Sequence, residues 1–556
     1  MPATSCPRRA AGRGHGPLLR ESVNVGHQRK FPLAQDLSKG ETTHSHNHSN
    51  LLCLEPQMLE KLKAVNLAKL PRQLLIGGQW VEGIEGGRIP VTNPFDNSVL
   101  LEIAEARAAD VDRAVAAART AFPKWAAMGA SDRGRLLYKL VEKMEACFDE
   151  LAELEAIDTG HPLKDTRVLD VPRTLLTFRY FAGIADKIDG RQVPVEPGFL
   201  NVVKRQPVGV VGQIVPWNFP LMFCGWKLGP ALAAGNTVVM KPSELTPLST
   251  LRVAQMMQEV GFPDGVVNIV PGYGHTAGQR LAEHPDVNKI SFTGSTATGR
   301  KIIEASAGNL KRVSLELGGK GANIVFEDAI IPAAVGGSAF AIFHNQGQAC
   351  IAGSRLLLHE KIADAFLEKF IALAESIKLG DPLDPATEMG PLTSRVHQER
   401  VLSYLDVCQR EGNRILTGGS APVEAKLRQG CFLTPTVVEA KPGDTVFTQE
   451  VFGPFVSVTR FRDDAEAIAL ANATDYGLGS GLWTTNLSRA HRMADAIRAG
   501  MVWVNCYKRV HPGSPFGGVG QSGFGRDLGL ECLNEYTEPK SIWINYDAQI
   551  PPFYTR

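Results

Sequence analysis

The chain has 556 residues, of which 44% are hydrophobic and 21% charged, and its formal net charge is +1. This length exceeds what one hydrophobic core supports, so we expect two or three domains. The near-zero charge argues against a nucleic-acid partner, and because no run of 18 apolar residues occurs, a membrane-spanning helix is not expected.

The amino-terminal segment differs in composition from the rest of the chain. Residues 1–34 hold six Lys or Arg and one acid, Glu21, without apolar periodicity. We interpret residues 1–70 as a disordered leader of a cytoplasmic protein; the alternative is a transit peptide and an organelle matrix. The stretch HSHNHS at 44–49 fits a solvated polar tail better than a metal site, because nothing nearby fixes a geometry.

From about Leu74 the sequence alternates between helical and strand patterns. Residues 110–127 place apolar side chains at spacings of three and four, which predicts one helix face. A second helix is predicted, capped by Ser131 and followed by Gly160. Short β-branched runs follow, separated by helical stretches, at 208–215, 236–240, 266–270, 288–292, 322–326, 354–359, 454–461, 479–485 and 501–505. Continuous apolar strands that alternate with helices indicate parallel sheets covered on both faces.

Two segments are predicted to form exposed strands. Residues 190–206 are polar, alternating and punctuated by Pro and Gly, which is typical of a hairpin or edge ribbon. Residues 538–545 (EPKSIWIN) read as an exposed strand. Uncovered strands are liabilities unless another chain pairs with them, so they indicate either oligomerisation or a short covered edge.

Three glycine-containing segments are candidates for binding phosphate or ribose. GVGQSG (518–523) imitates a dinucleotide fingerprint, but it follows a Gly-rich loop instead of a strand, so we interpret it as a turn. FTGSTATG (292–299) follows a strand and precedes a helix, where free amides hold phosphate oxygens. In KPSE, Lys241 and Glu244 extend from a strand end. A carboxylate there suits two ribose hydroxyls and repels a 2′-phosphate; a surface ion pair is the alternative.

The stretch NQGQACIAGSR places a cysteine, Cys350, among small and polar residues. The nine cysteines are scattered without CxxC spacing, so neither disulfides nor a zinc site is expected. A reactive thiol needs a base or a local field. Glu316 stands beside Gly318 and Gly319, which would leave it room to move, and buried Glu is rare unless functional or paired. Asn218 could donate to an oxyanion, although each residue alone has a structural explanation.

Seven motifs occur together in a characteristic order: PWNFP, KPSE, FTGST, LELGGK, NQGQAC, EVFGP and PFGG. In these motifs, over about residues 72–546, the chain resembles the NAD-dependent, non-acylating aldehyde dehydrogenases. The resemblance implies two doubly wound α/β domains and a small β oligomerisation ribbon. It implies an NAD-binding domain at 71–188 and 208–317, a catalytic domain at 318–533, and the ribbon of a homodimer or homotetramer at 189–207 and 534–556.

The resemblance assigns roles to individual residues. Cys350 matches the nucleophile, Glu316 the general base, and Asn218 the oxyanion donor that works with the Cys350 backbone N–H. It also implies a set of NAD contacts: Lys241 and Glu244 at the adenosine ribose, Gly294 and Ser295 at the pyrophosphate, Glu450 at the nicotinamide ribose, Phe452 beside the nicotinamide, and Trp217. The implied activity is oxidation of an aldehyde to its carboxylic acid through a thioester that a glutamate-activated water hydrolyses.

Two other functions remain open at this point. CoA-acylating relatives use the same cysteine but generally lack the glutamate base, so Glu316 favours hydrolysis. An inactive member serving as a binding or structural protein is disfavoured by the intact motif residues. The positions that resemble the family's substrate tunnel are mostly apolar or aromatic: Phe219, Phe223, Trp226, His344, Ile351, Val510 and Phe516. This suits aliphatic or aromatic aldehydes, while Trp226 and Tyr507 leave a cationic substrate such as betaine aldehyde possible.

Overall fold

The structure is a computed structural model that describes residues 65–547. The predictions for the HSHNHS segment, for residues 548–556 and for residues 1–64 of the leader lie outside the described residues. The last part of the predicted leader is ordered, because Leu67–Lys69 form a 3₁₀ turn and Leu70 is buried, so the predicted disorder does not extend to residue 70. The strands are β1 (Leu74–Ile76), β2 (Gln79–Val81), β3 (Arg88–Thr92), β4 (Val99–Ala104), β5 (Arg191–Val193), β6 (Phe199–Pro207), β7 (Val210–Ile214), β8 (Thr237–Lys241), β9 (Val267–Ile269), β10 (Lys289–Thr293), β11 (Arg312–Glu316), β12 (Ala322–Val325), β13 (Arg355–His359), β14 (Arg414–Thr417), β15 (Thr436–Glu439), β16 (Phe455–Phe461), β17 (Gly479–Trp483), β18 (Met501–Val504), β19 (Gly523–Phe524) and β20 (Thr537–Asn545).

The helices alternate with these strands along most of the chain. They are α1 (Ala108–Ala127), α2 (Ala130–Ala146), α3 (Phe148–Thr159), α4 (Leu163–Asp165), α5 (Val171–Ile184), α6 (Pro220–Ala233), α7 (Leu248–Glu259), α8 (Gln279–Glu283), α9 (Thr296–Ser306), α10 (Ile331–Phe343), α11 (Ala363–Ser376), α12 (Arg395–Glu411), α13 (Ala425–Arg428), α14 (Thr445–Thr448), α15 (Asp464–Ala471), α16 (Leu487–Ala496) and α17 (Leu533–Tyr536). None of the helices in 65–547 is both long and apolar enough to cross a membrane.

Two largely parallel sheets form the framework. The first has the order β19-β11-β10-β7-β8-β9-β1-β2, with β11 to β9 parallel and the outer strands antiparallel. The second has the order β14-β15-β16-β13-β12-β17-β18, parallel except for β14. Every residue of β7, β8, β10 and β13 is buried, as expected for parallel strands covered on both faces. The predicted α/β class is confirmed.

The predicted hairpin and carboxy-terminal strand form one antiparallel sheet of order β20-β6-β5. β20 pairs with β6 along its whole length, from Thr537 opposite Pro207 to Asn545 opposite Phe199. Most of β20 is exposed, including 57% of Trp543 and 47% of Ile544. This three-stranded sheet is called the ribbon below.

The structure corrects several details of the sequence prediction. Ser131 does not cap a helix, because α2 begins at Ala130 after the N-cap Gly129. The single helix predicted before Gly160 is two helices that meet at Cys147. Gly160 then ends α3 in a left-handed conformation, with φ of 85°. The strands β1 to β4 were not predicted, and β19, from the segment assigned to the catalytic domain, pairs with β11 of the first sheet.

Candidate active site

The candidate site begins at one edge of the first sheet. Strands β7, β8, β10 and β11 are parallel neighbours, so their carboxyl ends meet at the same edge. The chain leaves β7 into the PWNFP segment, β8 ends at Lys241, β10 leads into Gly294, and β11 ends at Glu316. Residues that are far apart in the chain are therefore gathered at one place by the parallel order of the strands.

The loop that carries Cys350 comes from the second sheet's side, between α10 and β13. It contains three successive left-handed residues, Asn345, Gln346 and Gly347, with φ of 56°, 52° and 70°. A non-glycine residue in this region costs roughly 1–3 kcal/mol. Side-chain hydrogen bonds offset that strain, because Asn345 Nδ2 donates to the carbonyls of Asn218 and Gln348 at 3.1 Å each.

Asn218 lies against the same loop and is 4% exposed. Its Nδ2 donates to the carbonyl oxygen of Gln348 at 2.9 Å. A primary amide has two hydrogens, so this bond orients Asn218 and leaves the second hydrogen for a ligand. Asn218 and Cys350 line the same cleft.

Cys350 lies where two cavities meet. One is a cleft of about 550 Å³ whose lining includes seven of the predicted site residues: Trp217, Asn218, Gly294, Ser295, Cys350, Glu450 and Phe452. The other is a tunnel of about 560 Å³ with mostly aromatic and apolar walls. A group bound in the tunnel and a group bound in the cleft would therefore both reach the Cys350 thiol.

Glu316 is 3% exposed, and neither of its carboxylate oxygens has a hydrogen-bond partner among residues 65–547. Burial raises the pKa of Glu316 well above its usual range, and the nearby Asp527 charge raises it further. Asp527 forms a buried ion pair with Lys227 at 2.7 Å. A Cβ on Gly517 would lie 2.6 Å from Glu316 Oε1, so the absence of a side chain there makes room for the carboxylate.

Gly318 and Gly319 do not serve Glu316 as predicted. A Cβ on Gly318 would lie 2.4 Å from Glu450 Oε2, and one on Gly319 would lie 2.3 Å from the Cys350 carbonyl oxygen. The backbone N–H of Gly319 also donates to Glu450 Oε1 at 2.8 Å. These glycines therefore let LELGGK pack directly against Glu450 and the cysteine loop.

Two carboxylates make the Cys350 thiol harder to ionise in the unliganded protein. Burial raises the pKa of Cys350 above its usual value, and the charges of Glu450 and Glu316 raise it further. Burial also raises the pKa of Glu450 to about 7. The ionisation of Cys350 is thus linked to the charges of Glu450 and Glu316.

This linkage predicts that Glu450→Gln speeds alkylation of Cys350 by iodoacetamide in the unliganded protein. Removing the carboxylate charge stabilises the thiolate, so we expect a several-fold higher rate at mildly alkaline pH. Because Glu450 is charged only above its pKa of about 7, the two proteins should converge as the pH falls below that value. The rate is measured on the Cys350 peptide by mass spectrometry, with the partly buried Cys147 in the same samples as control. Equal rates at alkaline pH would show that Glu450 does not influence the thiol.

The predicted phosphate and ribose residues lie at neighbouring strand ends. Ser295 is the N-cap of α9, where its Oγ accepts from the Thr298 N–H at 3.2 Å. Lys241 and Glu244 do not line the cleft next to Cys350; they lie at the end of β8. Lys241 Nζ donates to the carbonyls of Pro242 and Gly272 at 2.7 Å each, and its distance to Glu244 Oε2 is 3.2 Å. The three ammonium protons of Lys241 are therefore already used in these contacts, while the Glu244 side chain is 29% exposed.

The aromatic side of the cleft includes a residue that the motifs did not reveal. Trp217 packs edge-on against Phe452, with ring centroids 5.4 Å apart, and against His397 at 4.9 Å. Burial lowers the pKa of His397 to about 4, so the ring is neutral and its Nε2 donates to the Phe452 carbonyl at 2.8 Å. That bond supports the left-handed backbone of Phe452, whose φ is 63°.

The tunnel contains all the positions predicted for it: Phe219, Phe223, Trp226, His344, Ile351, Val510 and Phe516. Tyr507 is not part of this wall; it is 4% exposed and packs against Trp503 with ring centroids 5.0 Å apart. The sequence prediction missed three charged residues that do line the tunnel, namely Asp170, Arg173 and Lys508.

The sequence and the structure of this chain are similar to those of known proteins. The sequence model described as "Aldehyde dehydrogenase family" matches residues 80–542. The mitochondrial aldehyde dehydrogenase of Rattus norvegicus is 44% identical over 477 residues, which cover 85% of this chain and 91% of that protein. The crystal structure of PnpE in complex with nicotinamide adenine dinucleotide is 66% identical, has a TM-score of 0.87 and covers 88% of this chain and 100% of that one. PnpE comes from Pseudomonas sp. WBC-3. The betaine aldehyde dehydrogenase of Staphylococcus aureus in complex with NAD+ is 39% identical, with a TM-score of 0.87 over 88% of this chain and 98% of that chain.

Proposed function

From the premise that this chain belongs to the aldehyde dehydrogenase family and oxidises aldehydes with NAD as acceptor, we propose that Cys350 is the catalytic nucleophile. The observation that carries this proposal is the position of Cys350 at the meeting point of the cleft and the tunnel. An aldehyde carbon at the end of the tunnel is then adjacent to both the thiol and the cleft.

The Cys350 thiolate attacks the aldehyde carbonyl and forms a hemithioacetal. Its oxyanion accepts hydrogen bonds from the free Nδ2 hydrogen of Asn218 and from the Cys350 backbone N–H. One such donor typically contributes about 2.7–4 kcal/mol to transition-state stabilisation. Asn218 can contribute fully because its bond to the Gln348 carbonyl already fixes its orientation.

The cleft fits NAD by the chemistry of its lining. The amide-rich start of α9, next to the side-chain-free Gly294, suits a pyrophosphate. Glu450, already held by the Gly319 N–H, suits the nicotinamide ribose, and Glu244, outside the cleft lining beyond the end of β8, suits the adenosine ribose. Trp217 and Phe452 supply an apolar wall. NAD, when bound, accepts the hydride that leaves the substrate carbon.

Glu316 then acts as general base in hydrolysis of the Cys350 thioester. Its buried, unpartnered oxygens and its raised pKa favour acceptance of a proton from water, and the Lys227–Asp527 pair lies beside it. This base separates the proposal from the CoA-acylating alternative, in which a thiol replaces water. An inactive binding protein would have no need of an unpaired buried carboxylate, since leaving one costs stability.

Aldehyde-dependent reduction of NAD tests this function, and we expect NAD to be preferred over NADP by about tenfold or more. Glu244 accepts two ribose hydroxyls from NAD, whereas NADP brings a phosphate against its charge. Lys241 offers little rescue, because its protons are bonded to Pro242, Gly272 and Glu244. The measurement is kcat/KM for each cofactor, followed by absorbance of the reduced nicotinamide.

The matched variant is Glu244→Gln, which keeps a hydrogen-bond acceptor but removes the charge. It should reduce the preference for NAD over NADP several-fold. Glu304→Gln, at an exposed position in α9, is the control and should leave the ratio as it is. If the parent enzyme prefers NADP, Glu244 does not face the ribose. The same conclusion follows if Glu244→Gln leaves the NAD-to-NADP ratio of kcat/KM unchanged. Absence of NADH with every aldehyde would contradict the function itself.

We further propose the domain boundaries given by the resemblance, with β19 added to the NAD-binding side because it pairs with β11. The exposed apolar side chains of β20 support assembly through the ribbon into a homodimer or homotetramer. The free thiols among the described cysteines support a reducing compartment, for which we propose the cytoplasm. An organelle matrix is the alternative if the leader is a transit peptide.

A further inference from the structure

Arg173 and Lys508 bring positive charge into the wall of the otherwise aromatic tunnel that ends at Cys350. Neither residue belongs to the motifs that identify the family, and the reaction at Cys350 does not require them. Charge in the wall of a substrate cavity usually selects a substrate of opposite charge.

Arg173 lies in the first turn of α5 and is partly buried. Its guanidinium has no hydrogen bond or ion pair with any residue in the described range 65–547. Burial lowers its pKa from the usual value, yet a guanidinium remains charged at physiological pH. An unpaired guanidinium facing a cavity is a ready partner for a planar anion, which it can bind through two parallel hydrogen bonds.

Lys508 is 4% exposed and also lacks a strong partner. Its Nζ lies 3.4 Å from the carbonyl oxygens of both Phe340 and His344, which is long for an N–H···O bond. The ammonium lies 5.7 Å from the centroid of the Phe340 ring. Burial lowers the pKa of Lys508 to about 7, as expected for an ammonium group without a carboxylate.

The other titratable groups of the tunnel wall only partly offset these two cations. Asp170 Oδ2 is 2.7 Å from His161 Nδ1, and although its charge raises the pKa of Arg173, it forms no ion pair with Arg173 or Lys508 among residues 65–547. Burial and the Lys508 charge hold the pKa of His344 well below its usual value, so this ring is neutral. The wall therefore has an excess of positive charge.

We propose that the aldehyde oxidised by this enzyme carries a carboxylate at the end remote from the aldehyde group, and that Arg173 and Lys508 bind it. This inference rests on the proposed function and names its substrate class. The mostly aromatic and apolar walls of the tunnel suit a short hydrocarbon segment between the two ends. The remote carboxylate takes no part in bond making, and the product is a dicarboxylate.

The same wall disfavours a cationic aldehyde. Trp226 faces the tunnel and could contact a quaternary ammonium, but Tyr507, the second aromatic residue predicted for that role, lies outside it. Arg173 and Lys508 would repel such a group in a poorly screened cavity.

The proposal is tested with three aldehydes of matched shape: para-formylbenzoate, its methyl ester, and para-trimethylammonio-benzaldehyde. We expect kcat/KM for the acid to exceed that for the ester by about tenfold or more, mainly through KM, with the cation poorest of the three. Arg173→Met and Lys508→Gln should each lower the acid-to-ester ratio by about tenfold. Arg173→Lys, which keeps the charge, should retain most of the ratio and so separate charge from packing.

Arg179→Met is the matched control, because Arg179 lies on the same helix but is exposed and paired with Glu145. It should leave the acid-to-ester ratio at the parent value. If the enzyme forms NADH efficiently but has a higher kcat/KM for the ester or the cation than for the acid, this inference is wrong while aldehyde oxidation is still supported. The inference is also wrong if Arg173→Met and Lys508→Gln leave the acid-to-ester ratio of kcat/KM unchanged. If no aldehyde, acetaldehyde included, yields NADH, the proposed function fails and the substrate class fails with it.

Discussion

Cys350→Ala should abolish aldehyde oxidation, with a loss of at least about 10⁴-fold in kcat. Without the thiol no hemithioacetal forms, and no other cysteine among residues 65–547 lines the cleft or the tunnel to replace it. NAD should still bind, because Trp217, Ser295 and Glu450 remain in place. Both properties are measurable on one preparation, the first by NADH formation and the second by quenching of the protein's tryptophan fluorescence during an NAD titration.

Cys147→Ala is the control, since this thiol is also free and partly buried but lies between α2 and α3. It should retain parental turnover. Substantial turnover by purified Cys350→Ala would remove the nucleophile assignment. Loss of NAD binding together with turnover would instead indicate a damaged fold and call for the isosteric Cys350→Ser variant, which should fold and remain inactive.

Glu316→Gln should slow steady-state turnover by about 10²–10⁴ while leaving a burst of NADH in the first turnover. The amide cannot accept a proton from water, so the thioester accumulates. Glu316 also raises the pKa of Cys350, so its neutral replacement should make the thiol easier to ionise and the burst no slower than in the parent. Rapid mixing of enzyme and NAD with aldehyde measures both phases.

The exposed Glu399→Gln serves as control and should show parental steady-state kinetics. If the burst of Glu316→Gln disappears along with turnover, Glu316 acts before hydride transfer, as the base that activates Cys350. If the burst and the steady-state rate of Glu316→Gln both equal those of the parent, another group activates the water and Glu316 has a structural role.

The core strands were predictable from the sequence because they are buried on both faces. The runs of β7 and β8 are rich in apolar, β-branched residues, which favours a buried strand. The strands β1 and β2 have only three residues each, which is too few to show a period. Burial alternates in β3, but Pro90 in its centre argues against a strand, and β4 does not alternate strictly. The break at Cys147 carries no Pro or Gly signal, and β19 is only two residues long. Pairing with the rest of the fold, not local preference, creates these features.

The site residues within motifs were predictable, but their electrostatic partners were not. Lys227 and Asp527 meet beside Glu316 from opposite parts of the chain, and no local pattern links them. Arg173 occupies one position of an ordinary helix. Lys508 could have been suspected, because it is two residues from Val510, which was assigned to the tunnel. The glycines of LELGGK were assigned to the wrong neighbour for the same reason: only the structure shows what a Cβ would meet.

The late segment of the chain has a consequence for synthesis on the ribosome. Two buried lysines, Lys227 of α6 and Lys289 of β10 in the first sheet, have carboxylate partners that follow far downstream: Lys227 pairs with Asp527 at 2.7 Å, and Lys289 with Glu535 at 3.2 Å. A buried charge without a partner is strongly destabilising, so this sheet cannot reach its final packing when its own strands emerge. At about 5–20 residues per second, the nascent chain waits on the order of ten seconds or more for those carboxylates. An incomplete translation product therefore carries the Cys350 thiol without a finished site, and the enzyme becomes competent only when its last segment is released.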